Sequence, residues 1–347
     1  MTRCRYSKHM GEWSWPERLP FRGGGDGRTM AEYAIETIGL GRQFGRIEAL
    51  TDVSFTVPTG ELVGLIGPNG AGKTTLIMLL LGILRPSSGK ALVLGADATK
   101  EFSKVGSAVG VTLDVHGLYE GLTGLQNLLF FGELFGSLRE VASQRASELL
   151  RTAGLWNRRH DRVAAYSKGM KQRLAIARSL MHHPRLLIMD EPISGLDPES
   201  RRATKDLIKH LTQNQSAMVL LSSHSLADVE ELCSKVAILS KGRLVAYDTV
   251  SSLRQSRDVT FIRITLARGQ GRASVDRVLA SIKGVAEHSW VAEDTVQAAM
   301  AQGVESGEVL RRLALGSIEF REVREMGNTL EDVFVSAIEG EEEANHG

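Results

Sequence analysis

Gly67 to Thr75 reads GPNGAGKTT and stands between two apolar runs, Leu62 to Ile66 and Leu76 to Leu81. The spacing is G-x-x-x-x-G-K-[ST], and a strand before it with a helix after it is the context in which that spacing binds phosphate. Glycines let backbone N–H groups turn inward around phosphate oxygens, Lys73 adds a point charge, and the helix that starts here aims its positive dipole end at the anion. Thr74 supplies a hydroxyl of the kind Mg²⁺ takes as a ligand. Gly67, Pro68, Asn69, Gly70, Ala71, Gly72, Lys73, Thr74 and Thr75 are therefore candidate nucleotide-binding residues in an α/β fold. A glycine-rich turn that merely contains a lysine would need both flanking elements by coincidence.

The chain has 347 residues, enough for two domains that each bury a core. Its net charge is +1 with both signs intermixed, so no acidic or basic field argues for nucleic acid as the main partner. Cys4 and Cys233 lie far apart, form neither a disulfide framework nor a metal motif, and suit a reducing compartment. Cys233, in an apolar helical stretch, reads as core. The longest apolar run, Leu76 to Leu84 with Gly82 inside it, is too short to span a bilayer, so a membrane role has to come through a partner.

Residues 1–30 carry Trp13, Trp15, Pro16, Pro20 and GGGDG without periodicity, which predicts a disordered extension, and Met30 is a possible start of the folded protein. Alternation predicts strands at Tyr33 to Ile38 and Val53 to Val57, antiparallel leads into a parallel core, with Phe44 in the loop between them. An aromatic side chain there can stack on a purine or simply cover the sheet edge. After short strands at Ala91 to Leu94 and Val109 to Leu113, Thr123 and Gln126 form a capping box for one helix, and a second runs from about Arg139 to Ala153. These helices read as an inserted helical subdomain. Ser167 is a natural N-cap for the helix containing KQRLAIARSLMHH. The apolar strand Leu186 to Met189 ends in Asp190-Glu191, at the carboxyl end where parallel sheets present ligands. Asp197 caps a helix with Pro198 at its first position, and the strand Met218 to Ser222 runs out at His224. Ser225 and Asp228 box the next helix, and a hairpin turning at Lys241-Gly242 closes the domain.

A composition shift at Ser251 to Asp258 marks a linker. Beyond it the order is strand, helix, strand, strand, helix, strand, which predicts a small α+β ferredoxin-like domain. Thr329 and Asp332 cap a last helix, and GEEEANHG is a solvated tail. This second domain contains no catalytic cluster, so a regulatory or assembly module is expected.

The P-loop, YSKGM at 166–170, LLIMDEP at 186–192, SGLD at 194–197 and His224 in LSSH occur in one order, and together they resemble the nucleotide-binding subunit of ABC transporters. The variant YSKGM, where the family usually has LSGGQ, and the C-terminal domain ending in TLEDVF are similar to an exporter branch whose permease is a separate polypeptide. The fold this resemblance implies is a P-loop NTPase of ABC type, with a mixed sheet core, an antiparallel β subdomain and a helical subdomain. The expected domains are 1–30 (extension), 31–253 (ATP-binding, with the helical subdomain at about 115–170), 254–340 (ferredoxin-like) and 341–347 (tail).

The resemblance also implies roles, with ATP and Mg²⁺ as cofactors. Lys73 would neutralise β- and γ-phosphate charge, Thr74 and Asp190 would hold Mg²⁺, and Glu191 would polarise the attacking water. His224 would contact the γ-phosphate. Ser167 and Gly169 would touch ATP on a second, head-to-tail copy, with Asp197 across the same interface. Asp114 stands where the family's glutamine links metal, water and permease; its shorter anionic side chain is attracted by the metal and repelled by phosphate. The implied protein is an ATPase that hydrolyses ATP to ADP and phosphate, sits on the cytoplasmic face of the cell membrane and drives a separate permease, exporting a drug, antibiotic or lipid-like compound. The alternative is a soluble ABC-type ATPase acting on nucleic acid or ribosomes, which usually has two cassettes or a long coiled coil; this sequence has one cassette and no sustained heptads.

Overall fold

The computed structural model describes residues 33–113, 116–215, 217–255, 259–267, 271–301, 306–326, 330–331 and 334. The expected extension at 1–30, the metal candidate Asp114, the caps Thr329 and Asp332, and the tail 341–347 lie outside these residues. The chain divides into two compact units. The described residues up to His224, with Leu239–Leu244, form the first; Ser225–Ile238 and the described residues from Val245 onward form the second.

The first unit opens with β1 (Tyr33–Phe44) and β2 (Ile47–Pro58), an antiparallel pair twice as long as their alternation predicts. Register shifts between Thr37 and Gln43 move side chains from one face to the other, so the period of two fails although pairing continues. Phe44 is accordingly the last residue of β1 and not a loop residue. The P-loop strand β3 (Leu62–Ile66) and helix α1 (Lys73–Leu80) follow as predicted. Next come β4 (Ser88–Val93), which pairs with β1, then β5 (Ala96–Asp97), α2 (Phe102–Ala108) and β6 (Val109–Thr112). Helix α3 (Gly124–Leu134) starts at the predicted capping box: Gln126 N–H donates to Thr123 Oγ1 and Thr123 N–H to Gln126 Oε1, at 3.1 and 2.9 Å. Helix α4 (Arg139–Thr152) ends before Gly154, which adopts φ +68°. Helix α5 (Lys168–Ser179), β7 (Leu186–Asp190), α6 (Pro198–Gln215) and β8 (Met218–Ser223) complete the unit's main elements.

Four strands run parallel in the order β6-β7-β8-β3. Every residue of β3, β7 and β8 is buried, which explains why they read as unbroken apolar runs. The register places Ile66 opposite Ser223, Asp190 opposite Ser222 and Thr112 opposite Met189. All four carboxyl ends therefore arrive on one edge of the sheet, the edge where α/β folds bind ligands.

In the second unit, α7 (Leu226–Leu232) begins at the predicted N-cap Ser225, and Cys233 behind it is buried, which pushes its thiol pKa up and leaves it inert. Strands β9 (Lys235–Ser240) and β10 (Arg243–Thr249) turn at Lys241-Gly242 as expected, and this turn, within Leu239–Leu244, belongs to the first unit. Helix α8 (Val250–Gln255) occupies most of the predicted linker, because Leu253 is buried and anchors it. Then β11 (Val259–Leu266), α9 (Arg272–Ser281), β12 (Val285–Ala292), β13 (Thr295–Ala301), α10 (Ser306–Leu315) and β14 (Phe320–Met326) follow in the predicted sequence of types. Their strands form an antiparallel sheet in the order β12-β13-β11-β14, over a core that includes Ile262, Ile264, Leu279, Val296, Val309 and Leu313. Among the described residues, no helix is long and apolar enough to cross a membrane.

Candidate functional site

The loop after β3 turns through Gly70 at φ +83° and Gly72 at φ +103°. The second of these is outside what a side chain tolerates, and a Cβ on Gly72 would lie 2.6 Å from Leu50 Cδ2 and 2.7 Å from the Ala49 carbonyl oxygen. Helix α1 starts immediately afterwards with no side-chain cap, so its first N–H groups face the loop. Lys73 folds back over this loop and donates from Nζ to the carbonyls of Gly67 at 2.6 Å and Pro68 at 3.2 Å. Burial lowers its pKa, and the charges of Glu191 and Asp190 pull it back up. A buried cation held by carbonyls beside the N–H groups of a helix start fits the arrival of a polyphosphate.

The ends of β7 and β8 bring the other candidates to the same edge. Thr74 Oγ1 donates to Asp190 Oδ2 at 3.3 Å, and Ser222 Oγ donates to Asp190 Oδ1 at 2.5 Å. The same Ser222 hydroxyl accepts from the Glu191 N–H at 3.0 Å. Glu191 adopts the left-handed φ of +50°, an unusual conformation for a side chain with a Cβ, and this turns its carboxylate toward His224. His224 Nδ1 lies 2.8 Å from Glu191 Oε2. His224 is more than half exposed and Glu191 mostly shielded, at 57% and 20% side-chain exposure, so one Glu191 oxygen is engaged while the pair still faces the open edge. Thr74 and Asp190 offer a hydroxyl and a carboxylate side by side. Two hard oxygens of this kind suit Mg²⁺, which draws its remaining ligands from water and phosphate. The described residues contain no group of three or more His, Cys, Asp or Glu side chains placed to hold a metal.

A second cluster forms where α5 and α6 begin. Ser167 is exposed, and its Oγ accepts from Met170 N–H at 3.2 Å. Asp197 is exposed and accepts from Ser200 N–H at 2.9 Å, the contact that chiefly holds its carboxyl below the usual range. Gly169 is buried, and a Cβ on it would lie 2.2 Å from Ser200 Oγ, so close packing of α5 against α6 already requires glycine there. Phe44 stands apart on the β1–β2 hairpin, 42% exposed, with the Arg42 guanidinium 4.5 Å from its ring centroid. The sequence reading missed Ser222, although a serine at the buried end of an otherwise apolar strand was a signal. It also missed Arg178, considered below.

Comparison with known proteins identifies the family. The family model described as ABC transporter matches residues 50–194. The daunorubicin/doxorubicin resistance ATP-binding protein DrrA of Streptomyces peucetius is 34% identical over 308 residues, 89% of this chain and 93% of DrrA. The bacitracin transport ATP-binding protein BcrA of Enterococcus faecalis is 31% identical over 310 residues, 89% of this chain and 97% of BcrA. The dimeric, post-hydrolysis structure of the ATP-binding cassette MJ0796 with ADP and Pi superposes with a TM-score of 0.56 at 22% identity, covering 62% of this chain and 98% of that one. At that identity the likeness is one of fold.

Proposed function

The chain belongs to the ATP-binding subunits of ABC transporters, and we propose that it powers export of a drug, antibiotic or lipid-like compound through a separate permease. It is an ATPase that hydrolyses ATP for transport. The observation that carries the mechanistic reading is the convergence of Lys73, Thr74, Asp190, Glu191 and His224 on one sheet edge. The names of DrrA and BcrA support the substrate class.

In this reading the loop from Gly67 to Thr75 wraps the phosphates with backbone N–H groups, and Lys73 exchanges its carbonyl partners for β- and γ-phosphate oxygens. Thr74 and Asp190 would hold Mg²⁺, which when bound would neutralise phosphate charge. Glu191, steadied on one oxygen by His224, uses the other to orient water and take its proton as the new oxygen–phosphorus bond forms. The bond from the γ-phosphorus to the bridging oxygen breaks, and its electron pair leaves with ADP. His224 also contacts the γ-phosphate, and Phe44 covers the purine.

Ser167, Gly169 and Asp197 complete the site of a second copy, head to tail. The exposure of Ser167 and Asp197 at adjoining helix starts supports this, as does the dimeric state of the cassette MJ0796. The permease docks on the helical subdomain at about 115–170, where Tyr119, Phe130, Leu134, Phe135, Leu138 and Val141 are exposed. Asp114 would contact the metal or the water. The protein is peripheral, on the cytoplasmic face, and nucleic acid is not a partner. The proposed domains are 31–253 for ATP binding and 254–340, where the sheet order β12-β13-β11-β14 supports a ferredoxin-like fold that serves dimer contact or regulation.

The experiment is affinity capture of tagged Glu191→Gln protein from solubilised membranes with ATP and Mg²⁺. This substitution keeps the binding contacts and removes the base, so an ATP-bound dimer accumulates. Recovery of a multi-span membrane protein supports the proposal. Ribosomes or nucleic acid without a membrane protein would overturn it.

A further inference from the structure

Arg178 lies in the last turn of α5, and its guanidinium leaves that helix to reach two others elements. Nη1 donates to the carbonyls of His116 at 2.7 Å and Gly117 at 3.0 Å, and Nη2 donates to the carbonyl of Val111 at 3.2 Å. The same group sits 5.0 Å from the centroid of the Phe131 ring on α3. Burial lowers its pKa, and among the described residues no carboxylate raises it. A partly buried cation whose described hydrogen-bond partners are neutral carbonyls is costly, so its value lies in geometry: a rigid fork that spans three carbonyls at once. Gly117 makes room for it. That residue has φ +57°, and a Cβ there would lie 2.8 Å from Arg178 Nη1.

The three carbonyls belong to β6 and the chain that leaves it. Val111 pairs with Ile188 of β7, the strand that ends in Asp190. At the other end of α5, about 16 Å away at 1.5 Å per residue, stands Ser167. We propose that Arg178 is a positioning residue for ATP hydrolysis, tying the exit of β6 and Phe131 of α3 to α5 so that the three shift as one body. The inference rests on the reading of Ser167 as a nucleotide contact across a dimer, and it names the link from that contact to the edge where hydrolysis occurs. Lysine in this place reaches one carbonyl as a point charge, and methionine offers a donor to none of the three.

The test uses the full chain and steady-state ATPase kinetics of Arg178→Lys, Arg178→Met, Gly117→Ala and the Gly117→Ala/Arg178→Met double variant. Arg178→Met lowers kcat about tenfold with KM for ATP within about twofold, because the P-loop is untouched, and Arg178→Lys recovers part of the loss. Gly117→Ala displaces the guanidinium and lowers kcat by itself, yet adds nothing in the Arg178→Met background. In Glu191→Gln protein, ATP slows amide exchange at Val111, Thr112, His116 and Gly117, and Arg178→Met removes that slowing. An unchanged kcat, a loss confined to KM, or effects of the two substitutions that multiply would overturn the inference. Sizing of Glu191→Gln protein with ATP reads the dimer separately. A dimer whose β6 exit is protected equally with and without Arg178 sinks this inference alone; a monomer sinks the dimer reading, and the kinetic cycle then decides Arg178.

Discussion

Replacing Ser222 by alanine removes one hydroxyl and breaks two contacts at once. Ser222 is fully buried, its Oγ donates to Asp190 Oδ1 and accepts from Glu191 N–H, and among the described residues no other side chain makes both contacts. The lost hydrogen bond to an ionised carboxylate is worth about 1.5–3 kcal/mol, and a shielded N–H left unpaired costs about 1–3 kcal/mol. Thr74 still donates to Asp190, and Glu191 is partly open to water, so the result falls in the lower half of that sum, about 3 kcal/mol. Native-state hydrogen exchange over β7 and β8 is the suitable assay, because it reads opening of this sheet without assuming one transition for both units. A loss of 3 kcal/mol raises exchange there about a hundredfold, since about 1.4 kcal/mol is a factor of ten. The Mg²⁺ concentration for half-maximal ATPase rises in the same variant, because Asp190 loses the donor that orients it. Exchange within about fivefold of the parent, together with an unchanged Mg²⁺ requirement, would refute the bridging role.

Gly72→Ala places a Cβ against Leu50 and the Ala49 carbonyl at a φ that alanine avoids; ATP affinity in a fluorescent-nucleotide titration falls more than about tenfold, and affinity within twofold of the parent contradicts the cradle geometry. Thr123→Ala removes one half of the α3 capping box and destabilises that helix by about 1 kcal/mol, read as faster amide exchange in its first turn; no change there means the cap is idle. If Asp114 touches metal or water, Asp114→Ala and Asp114→Gln alter the ATPase rate or its Mg²⁺ dependence; two unaltered profiles dismiss the role. Deleting 254–347 alters dimerisation, permease association or ATPase activity, and three unchanged readouts remove the C-terminal domain from all of them.

Much of this protein was legible residue by residue. The P-loop, the Thr123–Gln126 box, the Ser167 and Asp197 caps and the buried strands β3, β7 and β8 depend on neighbours a few positions away, where spacing and residue type are sufficient. The sequence of strand and helix types in the C-terminal sheet was legible for the same reason. The long β1–β2 pair was not, because register shifts erase the alternation that reveals a strand, and Phe44 was misplaced with it. The site's internal wiring was legible only as a set of candidates. Ser222 meets Asp190 across 32 positions, His224 meets Glu191 across 33, Arg178 meets His116 across 62 and Thr74 meets Asp190 across 116. Those meetings are decided by how four parallel strands align their ends, and by a left-handed Glu191 that turns one carboxylate toward a histidine. Sequence by itself determined which chemical groups the chain carries and which local elements hold them; tertiary register decided which groups touch, because contact between distant residues is a property of the packed sheet and not of either segment alone.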